Sequence, residues 1–259
     1  VRTASAHFAT IEADGLAAIQ SLTRLARVLR TDSGPGALAE VREVCAGMCN
    51  GWCTQLEIVL KSSLERSIAA ESWEAVAEGL IPQRSGSAVD TFTQIEQVCD
   101  VFLALVATER PPPSSSARFV RLIDGHIAAY VDALVAGCPA LPPSELQLGA
   151  PSPTPLLRLA ALDGQLTEEL CMRVSNCAWA ATQIAPLESK LAHALPMVDE
   201  SERLLCLATD RCDVGCNALV CYVATKLVFY QLEPTLLTNL YLPSAAEGTC
   251  AGSAAPRVL

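Results

Sequence analysis

The chain is expected to be all-α, and three observations carry that expectation. Every segment with a clear pattern repeats its apolar residues at gaps of three and four. No run of alternating polar and apolar residues reads as a strand. The composition is dominated by Ala and Leu with only 5% aromatics, which favours helix over sheet. With 259 residues and 51% hydrophobic content, the chain can bury a sizeable core, as one large domain or as two smaller ones.

Residues 3–30 read as a helix striped by Leu16, Ile19, Leu22, Leu25, Val28 and Leu29. Arg24, Arg27 and Arg30 form a short basic line along it. Its plain reading is a solvated face; its functional reading is a contact to lipid phosphate or to an acidic partner. The run from Asp32 to Gly36 breaks the helix. A long helix follows over 37–69, with Leu38, Val41, Cys45, Met48, Trp52, Leu56, Val59, Leu60 and Leu64 on one side. Trp52 is in register with that stripe and reads as core. The short turn between the two helices predicts an antiparallel αα-hairpin.

The segment 72–87 is short and irregular, since Pro82 and Gly86 prevent a long helix. Ser87 with Asp90 three residues on resembles a capping box, with Asp in place of Glu or Gln. Val89, Phe92, Ile95, Cys99, Phe102, Leu103 and Val106 then mark an amphipathic helix to about residue 108. Pro111, Pro112 and Pro113 end it, and Ser114 to Ser116 offer an N-cap for a helix to Ala136. His126 lies beside that helix's apolar stripe and reads as a packed histidine. Six prolines crowd residues 138–155, a long surface loop or hinge. Thr154 and Pro155 open a short helix to Leu162. A further helix covers about 165–194, with a kink expected at Pro186. The last helix begins between Ser201 and Asp213 and runs to about Glu233. Pro234 kinks it, a shorter stretch continues to Leu242, and Pro243 stops it.

A net charge of −10 argues against nucleic-acid binding, because phosphate contacts need a basic surface. No charged-then-apolar leader is visible, and no run of eighteen apolar residues exists, so the chain reads as soluble. It starts without Met and ends in mid-pattern, which reads as a piece of something longer. Twelve cysteines would suggest a disulfide scaffold in a short secreted chain, but this one is long and helical. Cys45, Cys49 and Cys53 recur every fourth residue of one helix, a geometry that does not favour disulfides among them. Cys212, Cys216 and Cys221 repeat the spacing loosely. These thiols read as small apolar filler in a reduced, cytoplasmic protein, with a metal site and disulfides as the lesser alternatives.

Nothing in the sequence assembles an active site. Three scattered histidines and no GxSxG turn leave no nucleophile–base pair. Gly34-Pro35-Gly36 is too short to cradle a phosphate. Glu168 and Glu169 are adjacent on a helix and diverge into solvent, and no Glu-x-x-His motif marks a di-metal bundle. No catalytic residue, no metal ligand, no cofactor and no small-molecule substrate is expected.

Three ordered stretches nevertheless resemble one family. The first is Trp73, Pro82, Ser87, Val89, Asp90, Phe92 and Ile95. The second is Leu170, Cys171, Arg173, Val174, Asn176, Ile184, Leu187 and Glu188. The third runs from Thr225, Lys226, Leu227, Val228, Phe229 and Tyr230 to Leu240, Tyr241, Pro243 and Ser244. Together they resemble the MUN domain of plants and green algae, related to the animal Unc-type proteins that prime vesicles for fusion. The first stretch looks like the entrance to the first Munc homology domain.

The resemblance implies one MUN-like helical region over 1–259, part of an elongated stack of antiparallel helical bundles. One bundle portion would cover 1–137 and a second 156–259, joined by the proline-rich loop at 138–155. It implies a non-enzymatic role in vesicle tethering, priming and SNARE assembly at exocytosis. SNARE or other trafficking proteins would bind as helices in grooves, with peripheral contact to the plasma membrane or an endomembrane. A general helical scaffold or adaptor is the second reading, and a ligand-binding or catalytic bundle the third. Pro186 inside the second stretch and the proline-rich loop depart from the family's pattern.

Overall fold

The computed structural model describes residues 21, 35–77, 79, 81–109, 113–136, 138, 166–195 and 204–227. Among these the protein is all-α, with five helices and no strand. They are α1 (Pro35–Ala69), α2 (Gly86–Glu109), α3 (Pro113–Ala136), α4 (Glu168–Ala194) and α5 (Cys206–Lys226). The expected helices at 3–30 and 155–162, the loop at 138–155, and the kink and continuation beyond residue 227 lie outside the described residues.

The chain divides into two compact units. One comprises Val1–Pro139 and Glu168–Val220; the other comprises Ala140–Thr167 and Cys221–Leu259. The bundle boundary expected after residue 137 is therefore drawn differently: α4 and most of α5 belong to the same unit as α1, α2 and α3. Their inward residues explain why. Cys177, Ala180, Ile184, Leu187 and Leu191 of α4, and Ala208, Cys212 and Leu219 of α5, share one buried cluster with the apolar faces of α1, α2 and α3.

Within the first unit α1 packs on α2 and α3, and α4 packs on the same two helices. An aromatic stack joins the first three. Phe102 of α2 and Phe119 of α3 lie 3.9 Å apart at 11°, and Trp52 of α1 stacks on both at 6.2 and 6.1 Å. Trp52 is core, as its register predicts, at 6% exposure. Phe92 of α2 meets Tyr130 of α3 and Trp179 of α4 edge-on, at 6.4 and 5.0 Å. Such pairs add to the burial of the rings themselves. Cys45, Cys49 and Cys53 fill the inner line of α1 as expected, and burial pushes both the Cys49 and Cys53 thiols up to about 11. The helix α4 runs through Pro186, whose ring faces solvent.

The close approach of α5 depends on a missing side chain. A Cβ at Gly215 would lie 2.6 Å from Val131 Cγ1, 3.3 Å from Val135 Cγ2 and 3.6 Å from Cys177 Sγ. Gly47, on α1, has open space instead. Gly215→Ala is expected to destabilise the protein by about 1–3 kcal/mol through overpacking. Gly47→Ala should stabilise by up to about 1 kcal/mol through helix propensity. Chemical denaturation of the two variants reads both signs; two shifts in the same direction would contradict the packing.

His126, on α3, is buried at 8% exposure, and burial lowers its pKa from an ordinary 6.5 to about 4. Between those values the unfolded chain holds more protons, so stability falls as pH drops through that window. The loss should total about 3 kcal/mol by pH 4, at roughly 1.4 kcal/mol per pH unit. His126→Leu should remove this component from stability measured between pH 6.5 and 4.5. An unchanged slope would place the ring in water.

Candidate functional site

Among the described residues six helix ends carry no complementary charge of their own, and three of them are served by side chains from elsewhere in the chain. Neither α2 nor α5 carries an acid in its first turn, and α3 carries no base in its last. Helix ends leave orphan N–H and C=O groups, and they attract opposite charge through the helix dipole. At the starts of α2 and α5 and at the end of α3 that charged group comes from another segment.

At the start of α2 the group is Glu71. Its Oε2 accepts the Ser87 backbone N–H at 2.6 Å and the Ser85 hydroxyl at 2.6 Å, and its Oε1 accepts the Trp73 N–H at 3.1 Å. The capping box expected at Ser87 and Asp90 is therefore not formed. The helix begins one residue earlier, at Gly86, and Glu71 takes the capping role a local side chain would have played. Ser87 Oγ is instead paired with Tyr130 OH at 3.3 Å. Burial opposes ionisation of Glu71, but the hydrogen bonds from Ser85, Ser87 and Trp73 together outweigh it and hold the carboxyl below its ordinary value.

Asn176 of α4 completes this junction from the far side. Its Oδ1 accepts the Ser85 N–H at 3.0 Å, and its Nδ2 donates to Ser85 Oγ at 2.8 Å. Both residues are fully buried. A serine beside a carboxylate has the parts of an activated nucleophile. Here the hydroxyl is enclosed on both sides at 0% exposure, so the arrangement holds backbone in place and offers no atom to a substrate.

Arg173, one turn earlier on α4, serves the end of α3. Its NH1 donates to the carbonyls of Ala133 and Leu134, at 3.2 and 2.9 Å. Its Nε and NH2 reach Glu169 Oε1 at 2.9 and 2.8 Å. Its guanidinium lies 3.9 Å over the Trp73 ring. Trp73 sits at φ +60°, a left-handed conformation that costs a bulky residue on the order of 1–2 kcal/mol. The hydrogen bond to Glu71 and the cation above the ring are what hold it there.

The start of α5 is served twice. Glu188 Oε1 of α4 accepts the Leu204 and Leu205 N–H groups at 2.6 and 3.4 Å. Asp124 of α3 accepts those of Leu207 and Ala208 at 3.2 and 2.7 Å. Burial dominates at Asp124 and raises its pKa despite the two donors, with Glu188 and Asp210 adding to the rise.

The sequence-level candidates fare differently. Arg24, Arg27 and Arg30 lie outside the described residues. Glu169 is an ion-pair partner of Arg173, a role its expected divergence into solvent does not include. Glu71, Ser85 and the capping roles of Asp124 and Glu188 were invisible to sequence reasoning. A weak signal existed for Arg173 and Asn176, which interrupt the apolar line of Leu170, Cys177, Ile184 and Leu187 with polar groups on its inward side. Among the described residues no group of three His, Cys, Asp or Glu is placed to hold a metal ion. Compared with known proteins, the chain matches no family model, no curated protein and no solved structure.

Glu71→Gln and Asn176→Leu each leave buried donors without an acceptor, and each is expected to cost about 1–3 kcal/mol of stability. Ser175→Ala removes only an exposed bond to the Gln83 carbonyl and should cost about 0.5 kcal/mol or less. Urea denaturation of the three variants ranks them. Equal, near-zero costs would show that the junction contributes nothing.

Proposed function

We propose that this chain is a non-enzymatic helical module of membrane trafficking, acting in vesicle tethering and priming and in SNARE assembly at exocytosis. The reading rests on the three ordered stretches of MUN resemblance, and one observation supports it. The first two stretches meet at the polar junction, although Ser85 and Asn176 are 91 positions apart. Trp73 and Ser87 of the first stretch are bound up with Arg173 and Asn176 of the second, directly or through Glu71 and Ser85. Four residues of the resemblance thus lie at this junction, joined by Glu71 and Ser85, which are not among its residues.

A bundle of this kind would form part of a longer stack, spanning distance between membranes and taking partner helices along its sides. Work in the cytoplasm, peripheral to the plasma membrane or an endomembrane, belongs to the same reading. Among the described residues no helix is long and apolar enough to cross a membrane. Apolar side chains remain at the surface of two helices: Leu207 and Val214, two turns apart on α5, are 44% and 64% exposed. Val44 and Ile58, four turns apart on α1, are 51% and 58% exposed. These residues also favour a second reading, a general helical scaffold or adaptor whose partners lie outside trafficking.

Purified chain should retain SNARE helices in a pull-down and cluster liposomes bearing them. Val214→Glu should weaken that retention about tenfold if α5 carries the contact, a difference of about 1.4 kcal/mol. Retention of unrelated amphipathic helices with equal affinity would favour the scaffold reading, and no binding to SNARE helices would overturn the trafficking one.

A further inference from the structure

We infer that Cys177 and Cys216 are a redox pair, forming a reversible disulfide that ties α4 to α5 when the chain meets a disulfide oxidant such as oxidised glutathione. Their sulfurs lie 2.9 Å apart, although the residues are 39 positions apart in sequence. The contact is built into the packing. Gly215, the neighbour of Cys216, brings the α5 backbone so close that a Cβ there would stand 3.6 Å from Cys177 Sγ and 2.6 Å from Val131. Cys177 Sγ also approaches the Cys212 carbonyl, at 3.8 Å. A disulfide asks for a further closure of about 0.9 Å between sulfurs already in contact.

The two thiols are unequal in the way the chemistry requires. Cys177 is fully buried, whereas Cys216 is only half-buried. The hydrogen bond between them lowers the pKa of Cys216, against opposition from burial and the Asp213 carboxylate. The same contact, followed by burial, raises that of Cys177. The thiolate is the attacking form, so Cys216 reacts first. Its sulfur attacks one sulfur of oxidised glutathione, making a mixed disulfide and releasing one glutathione thiolate. Cys177 then loses its proton, attacks the Cys216 sulfur and expels the second glutathione. Two protein thiols and one oxidised glutathione become one protein disulfide and two reduced glutathiones. Once Cys216 is bonded it can no longer be an anion beside Cys177, so the leading cause of the high Cys177 pKa is removed at that step.

The pair does not depend on the trafficking reading. The test is to reduce the purified chain fully, expose it to oxidised glutathione, and map its cysteines by mass spectrometry of a non-reducing digest. The expected result is a linked peptide pair containing Cys177 and Cys216, short of two hydrogens, with two free thiols lost together and restored by reductant. Cys177→Ala should trap glutathione on Cys216. Cys216→Ser should abolish the link, and Cys212→Ser should leave it intact. The map of the unsubstituted chain decides the matter without any variant. Glutathione found only on the exposed Cys171, Cys206 and Cys221, or a first link between any other two cysteines, would overturn the inference.

Discussion

A helix that ends inside a protein leaves donors or acceptors with no partner in their own chain segment, and water is not there to supply one. Three helix ends of this bundle meet that constraint through other segments of the chain. The helices α2 and α5 begin without an acid in the first turn, and α3 finishes without a base in the last. Glu71, Asp124 with Glu188, and Arg173 fill those places from other segments. Each contact therefore does two things. It satisfies a helix end, and it fixes the position of that end against a second element of the chain.

The consequence is clearest among the described residues of the stretch 71–87, where Val76 and Ile81 are left exposed. Its order comes from polar atoms: Glu71 gathers Trp73, Ser85 and Ser87, while Asn176 holds Ser85 from the opposite side. The strained backbone at Trp73 is tolerated because Arg173 covers the ring and Glu71 takes the amide. The whole assembly is specific in a way apolar packing alone is not, since a helix shifted along its neighbour would leave charged groups buried and unpaired.

Much of the fold was legible from the residues because helix-forming stripes are local. Spacing on α1 places Trp52 and the three cysteines inward, and the proline run marks the break between α2 and α3, with Pro113 the first residue of α3. The start of α2 is not legible in the sequence for the same reason that it is stable. Ser87 and Asp90 offered a local capping pattern, whereas the acceptor came from Glu71, sixteen positions upstream across an irregular segment. Capping in trans has no sequence period, so the roles of Asp124 and Glu188 could not be read from the chain. The return of α4 and most of α5 to the first unit is hidden likewise, because a proline-rich stretch marks a break in helix without saying where the chain goes next.

The most direct measurement of this account is amide hydrogen exchange at Ser85 and Ser87 in the unmodified chain. If Asn176 and Glu71 bind these two N–H groups in a buried junction, both amides should exchange as slowly as the core of α3, through global unfolding. Exchange at the rate of an open surface loop would contradict the account, because it would mean that the helix end is satisfied by water.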